Sequence, residues 1–176
     1  MNNLNPTSVA RNKFLYDKKS MVAGIIFVSV LGTLFHFAYE WSGNNSIIGL
    51  FTPVNESTWE HMKLIFFPML IYTLYCCKRK KADCSGMLLG TLVGTLLIPV
   101  LFYTYSGALG FNLEFIDISI FYISVILAFC ITYKASFSLK TEKYAGLLKL
   151  LILVMTLLFF IFTPFPPDIA LFISPV

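Results

Sequence analysis

Between positions 56 and 63 the chain carries two carboxylates, a histidine and a lysine (Glu56, Glu60, His61 and Lys63). It then runs into an uninterrupted apolar stretch, residues 64–77. Ionisable groups at the mouth of an apolar helix are costly to desolvate and mark a functional site by default. Twenty residues upstream, His36 and Glu40 are four apart and share one helical face. Imidazole nitrogen and carboxylate oxygen are the donors of catalytic zinc sites, where three protein ligands leave one position for water. The reading is that His36, His61 and Glu60 bind a divalent metal such as zinc. Glu40 acts beside them, and Glu40 and Glu60 are the candidate catalytic carboxylates for a polarised water. Glu56, Lys63 and Asp117 complete the polar site. There is no His-Glu-x-x-His, so the ligands must converge from two separate helices.

The same groups admit other chemistry. Intramembrane carboxylates and histidines mark proton or cation pathways, with Glu60–Lys63 as a switchable pair and Asp117 opposite. Against a pathway, the chain shows no inverted repeat and no matched pair of interrupted helices. The third reading is a non-catalytic partner subunit. There, Ser57 and Glu60 form a capping box, Glu56 and Glu60 meet the helix dipole, and Lys63 snorkels outward.

The elements that position these residues are helical and apolar. The chain has 176 residues, is 57% hydrophobic and 12% charged, and has a mean hydropathy of +0.79. Soluble domains carry about twice that charged fraction. The net charge of +4 does not indicate nucleic acid, because the basic residues sit in links between apolar runs. Runs of about 20 residues match the hydrocarbon thickness. The expected architecture is an all-α polytopic membrane protein with five transmembrane helices at about 21–41, 57–77, 84–105, 115–133 and 147–162. A polar N-terminal segment, 1–20, precedes them, and a proline-rich tail, 164–176, follows. The first run is too long for a signal-peptide core and ends in polar residues, so it reads as a retained helix. Residues 42–54 form a loop whose apolar centre is too short to span. Pro68 and Pro99 are expected to bend the second and third helices. Gly86, Gly90 and Gly94 line one face of the third, where small residues allow close helix approach. They read first as helix packing and second as the contact face of a homo-oligomer.

Every Lys and Arg except Lys63 falls at one end of such a bundle. The positive-inside rule then places the N-terminus in the cytoplasm and the C-terminus outside. Glu40, Glu56, Glu60, Glu114, Asp117 and Asp168 gather at the outer end with both histidines. Cys76, Cys77, Cys84 and Cys130 fall at the inner end, where no disulfide framework is expected in a reducing compartment.

The segments 36–40, His-Phe-Ala-Tyr-Glu, and 55–63, Asn-Glu-Ser-Thr-Trp-Glu-His-Met-Lys, resemble those of a family of small bacterial membrane proteins classed as a domain of unknown function. Residues 115–119 and the closing 166–172 look like the same family, although this chain has Asp168 and Ala170 where the family pattern has a histidine and a second proline. The resemblance covers nearly everything after residue 20. It implies a bacterial source, Gram-positive in type, and a multi-pass plasma-membrane address. It implies no reaction. The activity expected from the site itself is a membrane-embedded hydrolase acting on lipid or envelope material, with the lipid bilayer as partner.

Overall fold

The computed structural model describes residues 18–80, 84–136 and 138–175. The N-terminal segment to residue 17, with Arg11, Lys13 and Asp17, lies outside them, as do Lys81 and Asp83 of the basic link. All regular structure among the described residues is helical. Five long helices, α1 (Lys18–Trp41), α3 (Thr58–Lys80), α4 (Ser85–Leu109), α5 (Glu114–Ala135) and α7 (Ala145–Phe162), are joined by two short ones, α2 (Ser46–Gly49) and α6 (Leu139–Lys143). A 3-10 turn, Ala170–Phe172, closes the tail. The long helices begin or end up to four residues away from the expected spans.

Four of them, α1, α4, α5 and α7, are long and apolar enough to cross a membrane. The charged groups at both ends of α3 dilute its hydropathy, so it does not qualify on composition. Its position supplies what composition lacks. Residues 62–69 of α3 are all buried, while Val22, Ile26 and Val30 of α1 and Leu150, Leu153 and Leu157 of α7 are exposed. The first half of the most polar of the five long helices is thus buried, while Ile71, Leu74 and Tyr75 of its second half are exposed.

Glycines set the register. A Cβ added at Gly24 would meet Phe129 and Tyr72, and one at Gly32 would lie 2.6 Å from both the Leu64 carbonyl oxygen and the Phe121 ring. Helix α1 therefore runs antiparallel to both α3 and α5. Pro68 offers no N–H to the Leu64 carbonyl four residues earlier, and the helix continues through it. Gly32 sits against that carbonyl, so a proline on one helix and a glycine on the other share one close contact. Gly86, Gly90 and Gly94 face Ser136, Thr132 and Ala128 of α5, each too near to admit a Cβ without displacement. That face is filled within the chain, so a second copy would have to dock elsewhere.

The cysteines depart from expectation. Cys77 and Cys84 form a disulfide, with Cα atoms 6.0 Å apart. The absence of one was argued from compartment alone. Helices α3 and α4 pack against each other, which brings Cys77 near the end of one and Cys84 at the start of the other within bridging reach. Cys76, buried, and Cys130, exposed, take no part in that disulfide.

Candidate metal centre and its neighbouring ion pair

Because α1 and α3 are antiparallel, with Gly32 opposite Leu64, the last turn of α1 lies level with the first turn of α3. His36 and His61 meet there, their rings stacked with centroids 5.4 Å apart and planes 25° apart. His61 Nδ1 is 3.0 Å from the Ser57 carbonyl oxygen. A carbonyl only accepts, so Nδ1 carries the proton and Nε2 of the neutral ring is an acceptor. That nitrogen lies 3.3 Å from Glu56 Oε2. Two acceptors at this distance repel unless a proton or a metal ion lies between them. His36 Nδ1, buried, has no hydrogen-bond partner. One ligand atom from each of His36, Glu56 and His61 falls within 4.8 Å of the others. Ligands sharing a tetrahedral zinc at about 2.0–2.1 Å sit roughly 3.3 Å from one another, so modest rotamer adjustment would close the set. When His61 is protonated, its Nε2–H donates to Glu56 and holds that carboxyl below the usual glutamate value; partial burial opposes this, and the charges of protonated His61 and His36 add to it. Glu56 is therefore ionised and fit to serve as a ligand.

Glu60 is not in this group. Its side chain is 2% exposed and lies 2.6 Å from Lys63 Nζ, itself fully buried. Lys63 also donates to Thr163 Oγ1 at 2.6 Å, to the Gly49 carbonyl at 2.9 Å and to the Thr52 carbonyl at 3.4 Å. Glu60 Oε2 accepts from the Val54 amide at 3.0 Å, and Thr163 Oγ1 stands 3.3 Å from Oε1. Glu60 is thus enclosed by hydrogen-bonding partners and faces away from the histidines. Glu56, Glu60 and Lys63, four and three residues apart, do not share one helical stripe. The helix begins at Thr58, and the non-helical residues before it turn the Glu56 carboxylate toward His61 instead.

The capping box is also rearranged. Ser57 Oγ does accept from the Glu60 amide, at 3.4 Å. The reciprocal bond to the Ser57 amide comes from Asn55 Oδ1 at 2.9 Å, which leaves the Glu60 carboxylate to Lys63. Glu40 is exposed, one turn beyond His36. Asp117 accepts a hydrogen bond from the Tyr105 hydroxyl. A channel through Glu60, Lys63 and Asp117 would need these groups to line one space, but the first two close on each other and the third pairs with α4.

The sequence placed Glu56 in the polar site but not among the ligands beside the histidines. Thr163, a hundred positions from Lys63, carries no local signal at all. Trp59 is buried against Phe159, Phe162 and Phe172, with ring centroids 4.8 to 5.8 Å away. It therefore holds the tail onto α3.

The chain belongs to a family of unknown function, DUF6512, whose profile matches residues 9–176. No curated protein and no solved structure matches it.

Proposed function

We propose that this DUF6512 member is a five-span integral membrane protein whose His36, Glu56 and His61 bind a divalent metal ion, zinc in type, and which hydrolyses ester or amide bonds in lipid or envelope material. The observation that carries the reading is the apposition of His61 Nε2 and Glu56 Oε2 at 3.3 Å, with a ring nitrogen of His36 within 4.8 Å of ligand atoms from both residues. A cation there would satisfy all three. Three ligands of this kind leave one position for a water, and a divalent metal lowers the pKa of such a water. Glu40, exposed one turn from His36 on the same face, is the nearest candidate base along α1. The group is only partly covered, as His61 and Glu56 side chains are 29% and 66% exposed, which leaves room for a substrate to approach.

Counting α3 with the four apolar helices supports five spans. By sequence position every Lys and Arg but Lys63 falls in segments toward the other end, which supports an orientation with the site outside the cytoplasm. The resemblance of its motifs supports a bacterial plasma membrane as the address.

The deciding experiment is metal content. The protein is purified in mild detergent without chelator and assayed by plasma mass spectrometry beside His36→Ala/His61→Ala. Near-stoichiometric metal that the double variant loses supports the site. No metal in either sample after zinc is added back refutes it. If metal is present, hydrolysis of fluorogenic lipid esters should fall in Glu40→Gln with metal content unchanged.

A further inference from the structure

The buried ion pair of Glu60 and Lys63 has no place in the metal site, but it touches every segment that frames it. Lys63 draws in the carbonyls of Gly49 and Thr52 and the hydroxyl of Thr163 at the end of α7. Glu60 takes the amide of Val54. Two pinned amides then bracket Glu56, with Val54 N–H on Glu60 and Ser57 N–H on Asn55. Segment 50–57 is otherwise a non-helical connection, free to place the Glu56 carboxylate in many ways. Gly49 is packed as well, since a Cβ there would meet Val54 at 2.7 Å and Tyr39 at 3.0 Å. A pair of charges 2.6 Å apart with almost no exposure carries a desolvation penalty that its mutual attraction does not clearly outweigh. Its conformational effect is the better account of its presence.

We propose that Glu60 and Lys63 are positioning residues, which lock the 49–54 segment and the end of α7 onto α3 and so hold Glu56 in place beside His36 and His61. The inference rests on the cation-site reading for its ligand and on the hydrogen bonds above for its geometry. Partners that orient metal ligands typically change affinity 10- to 100-fold when removed.

The test is Glu60→Leu/Lys63→Met, which removes both charges and leaves neither buried alone. The full-length variant in detergent should unfold near the wild-type temperature. Its zinc affinity, measured by chelator competition, should fall by about tenfold or more. Hydrogen exchange at residues 50–57 should accelerate, most of all at the Val54 amide. Gly90→Ala, a destabilising control in the α4–α5 contact, should lower the unfolding temperature without moving zinc affinity. Unchanged affinity with unchanged exchange in the double variant overturns the proposal. If wild-type protein takes up no zinc, the metal reading fails, and the exchange measurement alone decides whether the pair positions the segment. Should the double variant not fold, Glu60→Gln keeps the side-chain shape and should show the same two effects to a smaller degree.

Discussion

Glu60 and His61 are adjacent in sequence, yet they belong to different worlds. Glu60 points into the bundle, 2% exposed, against a lysine ammonium, a backbone amide and a threonine hydroxyl. His61 points to the half-open seam between α1 and α3, where it meets His36 and Glu56. A rotation of about 100° per residue is enough to separate them. In the inner cluster, donors and acceptors find one another. The outer cluster leaves an imidazole nitrogen facing a carboxylate and a second imidazole nitrogen with no partner. A polar group that is satisfied builds structure. One that is left incomplete at an accessible place is available to a ligand. By this comparison the buried pair anchors and the open trio binds.

The largest expected effect is on the inner side. Lys63→Met leaves the Glu60 carboxylate buried and uncompensated, and should cost about 3–5 kcal/mol in denaturant unfolding in detergent. A loss below about 1 kcal/mol would mean that water reaches Glu60, which would erase the contrast. Next is Gly90→Ala, whose new Cβ has no room against Thr132 and the Ala128 carbonyl. Overpacking of this kind costs about 1–3 kcal/mol. The same unfolding measurement would show whether α5 can retreat. On the outer side, His61→Ala removes a partly exposed ring and its hydrogen bond to the Ser57 carbonyl, worth about 0.5–1.5 kcal/mol. It should leave folding nearly intact while abolishing metal uptake. A stability loss as large as that of Lys63→Met, with no metal in the wild type, would make the outer trio a structural cluster. The smallest effect belongs to Glu40→Gln, which should change neither unfolding temperature nor metal content and should register only in turnover.

How much of this was legible follows from the range of each signal. The helices were legible because apolar runs of membrane length and their breaks are local features. So was the convergence of His36 and His61. Two sequential antiparallel helices joined by a short link must bring the end of one to the start of the other. The choice between Glu56 and Glu60 was not legible. It depended on where helix α3 begins, and the start at Thr58 leaves Glu56 outside the helix. The capping pattern misled for the same reason, because Asn55 supplied the bond assigned to Glu60. The disulfide between Cys77 and Cys84 was set aside on a compartment argument, although the two cysteines are only seven positions apart.

The sequence by itself determined an all-α architecture with five expected spans, four of which are apolar enough for a membrane, a charge-rich start to α3 and the segregation of basic residues from that end. Each of these depends on residue type and short-range spacing. Only the tertiary structure decided that residues 62–69 of α3, the most polar of the long helices, are buried. It also decided that the glycine face is filled by α5, and that Lys63 is enclosed by Gly49, Thr52, Glu60 and Thr163. Those outcomes depend on which helix faces are left over once the others have packed. A buried lysine gathers its acceptors from wherever the chain returns, here a hundred residues later.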